Sequence, residues 1–240
     1  MKSILDYENL CIAGDIHGKF EDFEQIIHEK YNLENTAFII AGDIGLGFYD
    51  TDYYKKLYDK LEKSLEKYNN CILGIRGNHD NPDCFNRESN LFIDFPRLKA
   101  IPDYDRLTWK DRSILCIGGA TSIDKEYRLS EMKENPDQIL WWENENIDER
   151  ESELKIKEDI VISHEAPMCI GPVLIRKDNM SLDTYRNILK DRLFLDKIIK
   201  DTNPNNYYFG HYHETYSGYW EDTKYNGLDI NEIVEVCQRK

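Results

Sequence analysis

An α/β fold with parallel strands is predicted for this 240-residue chain by three observations. Short apolar runs alternate with amphipathic stretches through the first half. Several of those runs end in Gly-Asp, Gly-Asn or Gly-His, the chemistry of a strand that must turn sharply at its end. Aromatic residues make up 12% of the chain, enough to furnish an apolar core and to exclude a disordered polymer.

The first strand reads at Leu10–Ala13 and runs into Gly14-Asp15. Ala37–Ala41 leads likewise to Gly42-Asp43, and Cys71–Ile75 to Arg76-Gly77-Asn78-His79-Asp80. Between them, Phe20, Phe23, Ile26 and Ile27 within Phe20–Lys30 recur at helical spacing, as do Tyr54, Leu57, Tyr58, Leu61 and Leu65 within Asp52–Tyr68. Strand–helix–strand alternation joins parallel strands and lays the helices on a sheet face. Residues 91–120 lose the helical period and read as short strands and hairpin turns, ending in Ser113–Ile117 and Gly118-Gly119.

The polar segment Ser122–Glu158 holds Trp141-Trp142 and a predicted helix from Asp148 to Lys157 capped by Asp148; its acidic run Glu143–Glu153 reads as a solvated face. Ile160–Ser163 is a strand leading to His164. Asp183–Lys200 reads as an amphipathic helix with Asp183 as N-cap. Tyr207–Phe209 leads to Gly210-His211, and Thr215–Val236 reads as two or three antiparallel strands. With no repeat, low-complexity tract or Pro/Gly-rich linker, residues 1–240 are expected to form one domain.

Charge narrows the function. Lys and Arg number 31 against 46 Asp and Glu, a net charge of −15, which repels nucleic-acid backbones and anionic membranes. The longest apolar run, Ala37–Ala41, is far short of the ~20 residues of a membrane-spanning helix. Acidic residues interrupt any signal-peptide pattern in residues 1–15. The six cysteines show no Cys-x-x-Cys spacing, and Cys11, Cys71 and Cys116 sit in strand-like runs as small hydrophobes. A reduced, cytoplasmic protein is the expectation.

Metal-ligand residue types occupy five strand-end positions: Asp15-x-His17, Asp43, Asn78-His79, His164 and His211-x-His213. Singly, each is compatible with an ordinary turn or cap. Together they use five of the six histidines; the sixth, His28, reads as a helix-surface residue. Carboxylate, imidazole and amide donors without thiolate suit Mn, Fe, Zn or Ni. These donors are too many for one tetrahedral ion but suit two bridged ions, which would activate water for in-line displacement.

The ordered set Asp15-x-His17, Gly42-Asp43, Gly77-Asn78-His79-Asp80, His164 and Gly210-His211-x-His213 resembles the calcineurin-like metallophosphoesterase superfamily, across residues 14–213. Its Asp-Ile-His-Gly and Arg-Gly-Asn-His-Asp wording is most similar to the serine/threonine protein phosphatase branch and its bacterial and phage relatives. That branch follows its second Gly-Asp with a Val-Asp-Arg-Gly-like stretch, whereas this chain reads Gly42-Asp43-Ile44-Gly45-Leu46-Gly47. The phosphate-gripping Arg and the Asp that partners the catalytic His are missing there, and Asp80 is the adjacent candidate partner. The run Gly118–Arg128 followed by Trp141-Trp142-Glu143 is similar to small prokaryotic and phage members.

The resemblance implies two mixed β-sheets packed face to face and flanked by helices, a four-layer α/β-β/α sandwich. It implies Asp15, His17 and His213 on one divalent transition-metal ion, Asn78, His164 and His211 on a second, and Asp43 between them, with manganese the first choice in vitro. His79 becomes the general acid. The implied reaction is phosphoester hydrolysis by a metal-bridging hydroxide, phosphomonoesters first. The alternatives are small phosphodiesters, nucleotides or cyclic nucleotides, and a non-catalytic interaction module, against which the complete ligand set argues. The implied substrates are phosphorylated small molecules, nucleotides or phosphoproteins. Two such ions with two carboxylates and a hydroxide leave about +1 at the site, so phosphate is attracted locally despite the acidic surface. Arg128 is the candidate phosphate contact and Arg76 reads as a structural ion-pair partner; Trp141-Trp142 reads as an aromatic clamp or a packed cap.

Overall fold

Side chains alternate faces along a strand, so a strand apolar at every position must be covered on both sides. The computed structural model describes residues 2–4, 7–150 and 156–237, and resolves that requirement into layers. After the short strand Lys2–Ser3 (β1) come Asn9–Ala13 (β2), Thr36–Ile40 (β3) and Cys71–Gly74 (β4), with β3 and β4 buried along their whole length. They join Asp94–Phe95 (β5), Leu98–Ala100 (β6) and Ile233–Glu235 (β13) in a six-stranded sheet ordered β13-β2-β3-β4-β6-β5. A second, seven-stranded sheet contains Arg106–Trp109 (β7), Arg112–Ile117 (β8), Ile160–Ser163 (β9), Asn206–Phe209 (β10), Tyr216–Trp220 (β11) and Thr223–Gly227 (β12), in the order β1-β7-β8-β9-β10-β12-β11. Both sheets are mixed: parallel centres (β2-β3-β4-β6 and β8-β9-β10-β12) are flanked by antiparallel pairs (β13-β2, β6-β5, β7-β8 and β12-β11), and β1 joins β7 in parallel at one edge.

The period of two explains the layering. Leu10 and Ile12 of β2, with Ala37 and Ile39 of β3, pack between the sheets against Ile114, Cys116, Ile160 and Ile162. Their neighbours Cys11, Ala13, Phe38 and Ile40 face outward, under the helices Phe20–Gln25 (α1) and Thr51–Lys67 (α2). On the far side, Leu115, Val161, Tyr207 and Phe209 are covered by Leu195, Ile198 and Ile199 of the helix Leu182–Thr202 (α4). The expected four-layer sandwich is therefore present, built from three apolar clusters. No helix among the described residues is long and apolar enough to cross a membrane.

Local departures have local causes. The predicted helix Phe20–Lys30 begins as α1 and finishes as a π-helical turn, Ile26–Lys30. That turn carries His28 inward: the ring is buried, stacks on Tyr68, and contacts Glu24 and Asn70, so it is not the surface residue the helical period implied. The N-cap of α4 is Ser181, whose hydroxyl accepts the Thr184 N–H at 3.0 Å, and Asp183 lies in the first turn instead. Of the predicted helix Asp148–Lys157, residues 148–150 and 156–157 are irregular and 151–155 lie outside the described residues. A helix stands instead at Lys125–Glu134 (α3), where weak amphipathicity hid it from the periodicity. The C-terminal strands divide: β11 and β12 form a hairpin on the second sheet, whereas β13 crosses to pair with β2.

Candidate metal centre

Parallel strands deliver their carboxyl ends to one edge, and the loops leaving those ends in both sheets meet there. Asp15 and His17 follow β2, Asp43 follows β3, Asn78 and His79 follow β4, His164 follows β9, and His211 and His213 follow β10. The approach is close enough to require glycine. A Cβ on Gly42, which has a φ of +97°, would lie 2.1 Å from His164 Nδ1, and one on Gly210 would lie 2.3 Å from Asp15 Oδ1. Four of the donors themselves adopt positive φ: His17 at 47°, Asp43 at 49°, His211 at 72° and His213 at 52°. Such backbone is costly for non-glycine residues and persists where surrounding structure holds it, characteristically at functional sites.

The donors fall into two adjoining groups. In the first, donor atoms of Asp15, His17, Asp43 and His213 all lie within 4.8 Å of one another, a cluster that can hold a metal ion. His213 Nε2 is 3.0 Å from Asp15 Oδ2 and 3.1 Å from His17 Nε2. In the second, His164 Nε2 is 3.0 Å from Asn78 Oδ1 and 3.4 Å from Asp43 Oδ1, and the His211 ring packs against His164 at 4.9 Å between centroids. Asp43 faces both groups, with His17 Nδ1 4.0 Å from its Oδ2, and its Oδ1 also accepts the His79 N–H at 2.7 Å.

This donor set fits a cation. The Ala41 carbonyl, 2.8 Å from His164 Nδ1, can only accept, so that nitrogen carries the hydrogen. The lone pair of a neutral His164 then points from Nε2 at two oxygens. Acceptors that face acceptors at 3.0–3.4 Å are reconciled by positive charge between them. The same negative surroundings act on His164 itself: burial opposes its charged form, but Asp43 and Asp15 outweigh burial and raise its pKa to about 10. Burial pushes the Asp43 carboxyl up, and His164, His79 and His17 more than offset it, holding it below the usual range. Burial lowers His211 far below an ordinary imidazole, which leaves it neutral with a lone pair to offer.

His79 lies beside this centre without joining either group. Its Nε2 is 3.9 Å from Asp43 Oδ2 and accepts a hydrogen bond from Arg128 Nη2. Burial, with a smaller contribution from Arg128, brings its pKa down to about 4 against the pull of Asp43. Arg128 is buried on α3, where Asp124 Oδ1 holds its Nε at 2.8 Å. Asp80 points away from His79. Its carboxylate receives the backbone N–H groups of Gly77 and Gly45 at 2.7 Å, Leu46 at 2.8 Å and Ile44 at 3.2 Å, stapling the loops after β3 and β4 together. Arg76 is structural as read, bound to Asp103 and to the carbonyls of Asn144, Glu145 and Asn146. Trp142 meets Phe48 edge-on at 5.0 Å, and Lys125 sits 4.4 Å over the Trp141 ring.

Supporting residues escaped the sequence reading. Asn78 Nδ2 donates to Ser122 Oγ at 3.0 Å, and Ser122 is held in turn by Glu145, which is buried and so departs from the solvated acidic run expected around it. Asp124 and Glu165 complete the set; the only signal was adjacency, Glu165 following His164 and Asp124 standing one helical turn before Arg128.

The two-sheet sandwich and its convergent donors define an α/β protein able to hold metal ions at one sheet edge. The description "Calcineurin-like phosphoesterase" matches residues 9–215, and the chain belongs to that family, one of metal-dependent phosphoester hydrolases. The catalytic subunit of serine/threonine-protein phosphatase 6 from Drosophila melanogaster is 30% identical over 132 residues, covering 47% of this chain and 40% of that protein. The chain thus matches less than half the length of that curated relative. Among solved structures, TT1561 of Thermus thermophilus aligns over 92% of this chain and 89% of its own, with 13% identity and a TM-score of 0.48. The phosphopantetheinyl hydrolase of Mycobacterium tuberculosis aligns over the same shares with 13% identity and a TM-score of 0.43.

Proposed function

We propose that this chain is a dinuclear metal-dependent phosphoesterase with phosphomonoesters as its preferred substrates. The observation that carries the reading is the meeting of Asp15, His17, Asp43 and His213 donor atoms within 4.8 Å, beside the His164–Asn78 pair. Asp15, His17 and His213 would hold one ion, Asn78, His164 and His211 the other, and Asp43 would serve both. Two such ions, when bound, supply positive charge to phosphoryl oxygens and lower the pKa of water. The remaining work belongs to the chain. Asp80 keeps the loops bearing Asp43 and Asn78 in register through its four N–H bonds. Asp43 orients the His79 backbone. A phosphoryl dianion entering beside Arg128 competes with His79 Nε2 for the guanidinium and adds the negative charge that favours a protonated His79. His79 then gives its proton to the leaving oxygen.

The guanidinium supports the monoester preference, because a terminal phosphate carries a third non-bridging oxygen and a second negative charge, which a diester lacks. Phosphorylated small molecules, nucleotides and phosphoproteins remain within that class, and manganese is the first metal to try. Six unpaired cysteines, four of them buried, suit a reducing compartment such as the cytoplasm. The test is hydrolysis of aryl monoesters, aryl diesters, linear and cyclic nucleotides and a phosphopeptide by manganese-loaded protein. Faster turnover of monoesters than diesters is expected; no turnover of any of them, with two ions bound, would overturn the reading.

A further inference from the structure

Three buried residues, His211, Glu165 and Arg192, have side-chain atoms without the partners their burial demands. Glu165 and Arg192 are both 0% exposed. One oxygen of Glu165 is fully engaged: Oε1 accepts the Ala166 N–H at 2.7 Å and the Tyr212 hydroxyl. The other, Oε2, has no hydrogen-bond partner, and neither has His211 Nε2, which lies 3.9 Å from it. Arg192 leaves Nε and Nη1 unpartnered as well. Buried orphan atoms are rare, and a matched donor–acceptor pair of them facing each other calls for an explanation.

We propose that Glu165 is a positioning residue for His211. Its Oε2 accepts the Nε2–H of that imidazole, fixes the tautomer whose lone pair is on Nδ1, and thereby presents Nδ1 to a divalent ion. The proposal rests on the reading of His211 as a metal ligand. The geometry favours this direction because Nε2 is buried without another partner and is the nitrogen 3.9 Å from the carboxylate. At 3.9 Å the pair is too far apart for a hydrogen bond, and closure takes a shift of about 1 Å. Glu165 is firmly anchored, since Ser163 Oγ donates to its carbonyl at 2.6 Å and Arg192 is tied to the Pro167 carbonyl at 3.4 Å. A carboxylate behind a ligating histidine fixes ring orientation and raises its basicity.

Two measurements test this. Long-range proton–nitrogen NMR of metal-free wild type at pH 8 reads the His211 tautomer; Nε2–H is expected, and Nδ1–H would overturn the proposal with no variant needed. Calorimetric titration with Mn(II) reads the sites. Glu165→Leu should weaken one of two sites by about 10- to 100-fold and spare the other, with Glu165→Gln, which keeps an acceptor, between it and wild type. A wild type that takes up no manganese would overturn the metal reading of the site. A wild type that binds two ions, with a folded Glu165→Leu that binds both as tightly, would overturn only the role of Glu165.

Discussion

Arg128 donates from Nη2 to Nε2 of His79, while Asp124 holds the Nε of the same guanidinium at 2.8 Å. The partner of His79 Nε2 is thus a guanidinium brought by α3, not a carboxylate of the loops after β3 and β4. A half-buried histidine beside an arginine is neutral at rest, and a proton donor only when substrate charge arrives.

Arg128→Ala is therefore expected to lower kcat/KM for phosphomonoesters on the order of 10²-fold, the loss typical of one donor to developing charge. Metal content should stay at two ions per chain. Steady-state kinetics and elemental analysis on the same preparation check both halves.

His79→Ala should cost about 10²- to 10⁴-fold in kcat, as for removal of a general acid, and leave the ions in place. Asp43→Ala should lose activity and metal together, because that carboxylate faces both donor groups. A fully active His79→Ala protein would remove the histidine from the mechanism.

Chelation should lower thermal stability. The Asp15 and Asp43 carboxylates crowd one small volume, and a cation that binds only the folded chain adds about 2.7 kcal/mol at a concentration 100 times its Kd. A melting temperature that climbs with added Mn(II) and falls with chelator is the expected record; one indifferent to both would contradict the site.

Asp80→Ala should destabilise by more than about 3 kcal/mol, because four buried N–H groups lose their acceptor at once. Urea unfolding of metal-free protein isolates this from metal binding. A loss under about 1 kcal/mol would mean that the loops after β3 and β4 are held by something else.

Burial lifts the Asp191 carboxyl to about 6, against opposing hydrogen bonds from Thr121 and Asn146. The folded chain thus binds that proton more tightly than the unfolded chain, whose value is 3.8. Its contribution is fully present below about pH 4, is lost as pH rises to about 6, and stays constant above that. Asp191→Asn removes this dependence, so its stability relative to wild type should improve by roughly 2 kcal/mol between pH 4 and pH 7. Paired urea titrations at the two pH values give the difference directly, and a flat difference would refute it.

The α/β class, the central strands and every donor of the candidate centre were legible because each rests on a local pattern. Apolar runs ending in Gly-Asp or Gly-His mark strand ends without reference to anything distant, as at Ala41-Gly42-Asp43 and Phe209-Gly210-His211. His28 and α3 were not legible: one is turned inward by a π-helical turn, and the other has too little amphipathicity to show a period. Asp80 was legible as a residue but not as a role, since its four partners come largely from a loop more than thirty positions away.

The order and chemical type of the cation-seeking groups were written in the chain itself, because donor chemistry and strand-end turns are properties of a few neighbouring residues. Which of those groups face one another was settled only by folding. Two sheets had to stack with their carboxyl edges together before Asp43 could meet His164, before Arg128 could reach His79, and before Glu165 could be shut in behind His211. Those pairings join residues distant from one another in the chain, and only the apolar cover on both sheet faces sets their spacing.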